Sequence, residues 1–509
     1  MSISIFIEPI SNAGELIKLL LVQEFNISEE TANVLFAKNI VKHIGRLRDN
    51  LFLVAETNYV DKVYRDSYYH YYSSKLTNYK RNCVRLSLFA DEVTLADFRD
   101  DGKVEKLQQL YLGFMVMRPN EPYVIGRSVV SPKALKITNF NCCTATYDNT
   151  VNSVKLKVDG FPHSTQDSET ITCAETSLWA LMEYYSHRYP EYRPILPSRI
   201  IQTLNKVSSE RQVPSKGLNI QQMSYALKEF GFGARIYSEE QYGDDFNLLL
   251  SCYVESGIPL IIAMDNRPDG GSIGHALLCV GHEKVLPEMI IGLTEYPIAN
   301  NYLNETAKKN KITFYDYDTV NKQFLFIDDN MPVYQKAYLG RPAAHYDNTW
   351  DNVTISYFIV PLYPKIHLEA YQAKSFINYF LLTGLVPIAN NTELLQRTYL
   401  ASSRSFKDKL AINKSFTQDV RDIILETSMP KFIWVSELSN KTLMAGQKAN
   451  GLIILDATEA NTSFNKPLII AAYQDKVINF EGDTGILAII DLHLDEFDIF
   501  ENNLKPFFV

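Results

Sequence analysis

The sequence predicts an α+β protein whose middle part is a helix packed on an antiparallel sheet, flanked by two further α/β or α+β domains. Three observations lead there. The chain has 509 residues, about three domains at roughly 150 residues each. Ala174, Leu178, Leu181, Met182 and Tyr185 recur at helical spacing and define one buried face. The runs Leu260-Ile-Ile-Ala-Met264 and Ala276-Leu-Leu-Cys-Val280 are strand-sized, and a Gly/Asp/Asn-rich turn joins them. Hydrophobic residues make up 46% and charged residues 21%, a composition that buries several cores and excludes disorder as the main state.

Taken in order, residues 1–150 mix strand and helix signals. Ile3 to Ile7 is short and β-branched, residues 29–47 are helical in composition, and the runs at 85–89 and 112–117 read as strands. Val124-Ile125 completes a hairpin after a Pro-Asn-Glu-Pro turn. The tract from Tyr64 to Lys75 is aromatic and basic. It is open to ligand stacking, but an amphipathic helix that packs its tyrosines on a domain surface is the favoured reading. A polar stretch at 148–168 marks the first boundary, so the middle domain covers 151–364. Its last strand, 353–360, is expected to stop at Pro361. Residues 365–509 hold helices at 368–382 and 419–425 and strands at 451–456 and 467–473. They form an α+β domain whose chemistry the sequence does not name.

Charge and cysteine usage narrow the function. Fifty Lys and Arg against 59 Asp and Glu leave a net charge of −9, a poor basis for phosphate neutralisation, so no nucleic-acid partner is expected. The six cysteines, at 83, 142, 143, 173, 252 and 279, are too few for a disulfide scaffold. Cys142, Cys143, His163 and Cys173 are near one another in sequence, but vicinal cysteines do not readily ligate one tetrahedral ion. No metal or cofactor is expected. The N-terminal stretch has no basic segment, and no apolar run approaches the roughly 20 residues of a membrane span. A cytoplasmic protein without membrane contact is the expectation.

Three elements carry the chemistry. Thr172 and Glu175 have capping-box spacing, which makes Cys173 the first residue of its helix. A thiol there faces the positive end of the helix dipole and free backbone N–H groups, and both favour the nucleophilic thiolate. The alternative is a buried, inert cysteine. His275 follows a glycine at the start of the second apolar strand, where it can project from the sheet rim as a general base. A satisfied structural histidine is the alternative. The strand from Gln323 ends in Asp328 and Asp329. One of them can orient the imidazole, and strand alternation would place the two on opposite faces. A simple turn is the alternative for that ending.

A capped Cys helix, an apolar G-x-P strand, Gly274-His-Ala-Leu-Leu-Cys-Val-Gly281, and then a strand ending in Asp resemble, in that order, the papain-like cysteine peptidases of the C39-like bacterial branch. The resemblance covers about residues 160–363. Residues 217–231 look like the family's second helix, with Asn219 and Gln222 at its start and Gly231 at its end. The resemblance implies a Cys173–His275–Asp329 triad, with Asp328 as the alternate, and hydrolysis of a peptide or isopeptide bond in a protein partner. Transglutaminases, deamidases, acyltransferases and inactive binding scaffolds use the same fold. The family's oxyanion-hole glutamine normally lies six residues before the cysteine. Asp167 stands there, and Gln166, one position earlier, is carried over for that role. About 40 extra residues, 283–322, separate the His and Asp strands. Their polar composition predicts a surface insertion. Since it joins the strands that carry His275 and the Asp, it either covers the site or binds substrate or, as the equal alternative, projects as a solvated loop from the far edge of the sheet.

Overall fold

The computed structural model describes residues 3–266, 274–298, 300–346, 350–480, 486–501 and 503–508. The turn expected between the two apolar strands falls largely outside them. The chain is α+β, as its patterning predicts, and is built on three large sheets. The first is antiparallel, in the order Ile5–Pro9, Phe52–Tyr59, Cys83–Phe89, Tyr111–Met117, Ile125–Val130, Val154–His163 and Ala145–Val151. It runs past residue 150 because Ala145–Val151 and Val154–His163 form a hairpin through Asn152 and Ser153, both at positive φ.

The central sheet is also antiparallel. Its order is Gln335–Ala337, Phe324–Ile327, Gly274–Glu283, Leu260–Asn266, Val353–Leu362 and Gly233–Ser238. Alternation fills both of its faces. Ile261, Leu278, Val280, Leu325 and Ile359 join the core shared with the first sheet and the Cys173–Arg188 helix. Ile262, Leu277, Cys279, Phe326 and Phe358 join a second core with the C-terminal elements. Pro361 does not end its strand. It pairs opposite Ala234 and the strand continues to Leu362, because a proline lacking its N–H is tolerated near a strand end.

The third sheet contains Glu393–Ser402, Phe432–Ser439, Gly451–Asp456, Leu468–Tyr473, Lys476–Phe480 and Leu487–Asp491. Its remaining strand comes from the 283–322 insertion: Thr313–Asp316 pairs in parallel with Glu393–Ser402. The exchange is mutual, because Lys505–Phe507 returns to Phe140–Cys142, which borders Gly274–Glu283 in the central sheet. That border depends on Gly281, since a Cβ there would stand 2.0 Å from the Asn141 carbonyl oxygen. Gly281→Ala is therefore expected to cost about 3 kcal/mol by forcing these strands apart. Urea unfolding checks this, and a loss under about 0.5 kcal/mol would show that the strands yield freely. Among the described residues no helix is long and apolar enough to cross a membrane.

Candidate active site

The Cys173–Arg188 helix starts where the capping residues place it. Glu175 is buried, and its carboxylate accepts from the Thr172 N–H at 3.1 Å, the Thr172 hydroxyl at 2.6 Å and the Ser215 hydroxyl at 2.6 Å. The loop ahead of the helix is shaped by Asp167. Its carboxylate accepts from the backbone N–H groups of Glu169, Thr170 and Ile171 and from the Thr170 hydroxyl. The residue at the family's glutamine position is thus a turn organiser. One turn into the helix, the Ser177 hydroxyl donates to the Ala276 carbonyl at 3.3 Å. This bond fixes the helix start against the residue that follows His275.

Cys173 and His275 are brought to the same place. The thiol lies near enough to the imidazole to be among the groups that raise its pKa. The other side of the ring faces the carboxylates, with Nε2 donating to Asp328 Oδ1 at 3.0 Å. Nδ1 is then the nitrogen left for the thiol. All six cysteines are free, and Cys173 alone is not buried.

The expected assignment of Asp329 is corrected in favour of Asp328. Both carboxylates approach Nε2, Asp329 at 3.7 Å, but Asp328 holds the hydrogen bond. Alternation does not separate the pair because the strand Phe324–Ile327 has ended before residue 328, and both acids lie in the turn that follows. Asp328 is fully buried and well supplied with donors. Besides His275 it accepts from His345 Nε2 at 2.9 Å, the Tyr346 hydroxyl at 2.8 Å and the Asn330 N–H at 2.9 Å. Asp329 is 4% exposed, and neither of its carboxylate oxygens has a hydrogen-bond partner.

The electrostatics follow this division. Burial raises the Asp328 carboxyl, but the His275 and His345 rings outweigh it and hold the group well below the usual carboxylate range. Burial likewise pulls the His275 imidazole down. The Asp328 charge and hydrogen bond, the thiol and Asp329 together push it well above the usual histidine value. Asp329 goes the other way, to about 7. Burial is the main cause, His275 opposes it, and the Asp328 and Glu175 charges add to it.

Gln166 belongs to the same network. Its amide donates to Asn330 Oδ1 at 2.8 Å, which places it beside the carboxylate turn. Three participants had no signal in the sequence, and a fourth, His163, stood out only for its nearness to Cys142, Cys143 and Cys173. His345 and Tyr346 support Asp328, and the Trp350 ring stands edge-on to His275, with centroids 5.5 Å apart. His163 donates from Nε2 to the carbonyls of Asp328 and Met331 at 3.1 and 3.0 Å. Burial pushes its pKa down to about 4, against the pull of those two carbonyls, so the ring is neutral with its proton on Nε2. The first sheet's helices add Lys42, which donates to the Asn330 carbonyl, and Arg46, which donates to the Tyr334 carbonyl at 3.1 Å.

The insertion packs on the C-terminal elements. It carries the helices Pro287–Ile291 and Asn301–Lys309 and the strand Thr313–Asp316. Leu303, Ala307, Ile312 and Phe314 are buried in the second core. The solvated-loop alternative is thereby corrected, because the apolar residues between the polar ones pack on the C-terminal elements. Among the described residues one group could bring three ligand atoms to a metal: His275, Asp328 and Asp329, with atoms within 4.8 Å of one another. The protein's own donors already occupy the Asp328 oxygens, so this donor set does not fit an ion well. Cys142 and Cys143 are buried apart from it, the Cys143 thiol donating to the Gly257 carbonyl. No protein-family model and no curated protein matches the chain.

Proposed function

We propose that the protein is a cysteine peptidase of papain-like type that hydrolyses a peptide or isopeptide bond of a protein partner. One observation carries this reading. The only cysteine not buried, at a helix start, lies beside an imidazole whose pKa it helps to raise and whose Nε2 donates to a buried carboxylate. The order of the Cys helix, the His strand and the Asp turn supports the C39-like resemblance.

The chemistry is acyl transfer. Nδ1 of His275 takes the Cys173 proton, and the thiolate attacks the substrate carbonyl. The tetrahedral oxyanion forms near the Cys173 backbone N–H, with the Gln166 amide as second donor once it leaves Asn330. Collapse expels the amine, which His275 protonates. Water, deprotonated by the same ring, then hydrolyses the thioester and restores the thiol. Asp328 holds the ring and stabilises the imidazolium throughout.

A thiol-directed peptide probe is expected to label native protein at Cys173 alone, because burial protects the other five thiols. Cys173→Ala should abolish labelling and lower turnover at least about 10³-fold. Product mass identifies the reaction: a backbone break means hydrolysis, and a gain of about 1 Da means deamidation. Turnover that survives Cys173→Ala would overturn the proposal.

A further inference from the structure

The aromatic, basic tract of the first domain lies at the rim of this site. Between residues 62 and 81 the chain carries five Lys or Arg and one Asp. Lys62 pairs with Glu183 and Lys75 with Glu169, which leaves Arg65, Lys80 and Arg81 against Asp66, a local charge of +2 in a chain of net −9. Tyr64 and Tyr72 are buried and anchor the segment. Lys75 is ion-paired with Glu169, and the Thr170 hydroxyl donates to the Ser67 hydroxyl at 3.4 Å. Glu169 precedes Cys173 by four residues, at most about 14 Å of extended chain. The outer side of the tract is unoccupied by the protein itself. Leu76 is fully exposed and Tyr69 is 59% exposed. Lys80 and Arg81 are exposed, and no carboxylate of a described residue pairs with them.

We propose that this rim is an exosite for an acidic segment of the polypeptide substrate, with an apolar side chain of that segment seated on Leu76 and Tyr69. The inference rests on the peptidase reading and names the substrate class that reading leaves open. Charge complementarity argues for an acidic partner: the rest of the molecule repels acidic chains, and this rim attracts them. The exposed leucine argues for peptide over nucleic acid. A base-stacking platform needs successive open rings, and of Tyr64, Tyr68, Tyr69, Tyr71, Tyr72 and Tyr79 only Tyr69 is exposed. A fully exposed aliphatic side chain a few residues ahead of the unpaired Lys80 and Arg81 instead fits a peptide that alternates apolar and acidic residues.

The full chain carrying Cys173→Ala separates this proposal from the catalytic one, because binding is read without turnover. Fluorescence anisotropy would use three labelled probes: a 12-residue Glu/Leu peptide, the same peptide with Lys for Glu, and a 12-nucleotide oligothymidylate. The acidic peptide is expected to bind at least tenfold tighter than either of the others and to weaken as salt is raised. Lys80→Glu with Arg81→Glu should weaken it at least tenfold, and Leu76→Asp, an independent surface change, at least fivefold. In otherwise wild-type protein these variants should leave probe labelling of Cys173 unchanged, which also reports that they fold. Equal binding of the acidic and basic peptides, indifference to the charge reversals, or preference for the oligonucleotide would each overturn the exosite. Loss of Cys173 labelling in the wild type would overturn the peptidase reading alone.

Discussion

Asp328→Asn is expected to lower kcat/KM about 10³–10⁴-fold, whereas Asp329→Asn should change it by less than about tenfold. Asp328 accepts the Nε2 proton of His275 at 3.0 Å and supplies the charge that outweighs the burial of the ring. An amide keeps the shape of the carboxylate but removes that charge. It can also present an N–H to Nε2, which favours the wrong tautomer for Nδ1 to accept the thiol proton. His345 and Tyr346 would lose the same anion, so the defect is not confined to one bond. The check is the Cys173 alkylation rate against pH together with turnover, with circular dichroism to confirm folding. Equal or larger loss from Asp329→Asn would return the triad role to Asp329.

Asp329→Asn is expected to stabilise the protein at pH 8 by on the order of 3 kcal/mol and to have little effect at pH 4. The carboxyl titrates at about 7 in the folded chain against an ordinary 3.8, with burial as the main cause. Between those values the folded state holds a proton that the unfolded state has released. Stability therefore falls as pH rises from about 4 to 7 and stays low above that range. Asn, always neutral, removes the cost of a buried carboxylate without hydrogen-bond partners. Asp328 acts in the opposite sense. Its folded pKa is depressed, so its contribution is present above the ordinary carboxylate value and is lost on acidification. Since Asp328 is common to both proteins, the difference in unfolding free energy between variant and wild type isolates Asp329. A difference that does not change between pH 4 and pH 8 would contradict the assignment.

Local chemistry is what a sequence displays, and the parts of this protein that follow from local chemistry were legible there. The Thr172/Glu175 spacing placed Cys173 at a helix start, and Glu175 makes that contact. Continuous apolar runs of strand length located the two central strands, whose alternate residues face different cores. Asn219 and Gln222 begin their helix as expected, with reciprocal side-chain bonds to the backbone. The choice between Asp328 and Asp329 was not legible, because it depends on a turn after the strand has ended. His345 and Tyr346 reach Asp328 from 17 and 18 residues away, and Lys42 reaches Asn330 from 288 away. No periodicity or spacing marks such residues. Their place is set by how sheets close on one another, since a buried carboxylate collects whatever donors the folded chain brings within about 3 Å. The insertion shows the same limit: its polar surface was visible in composition, but its pairing with Glu393–Ser402 came from a partner strand some 80 residues later, which only the tertiary fold brings alongside.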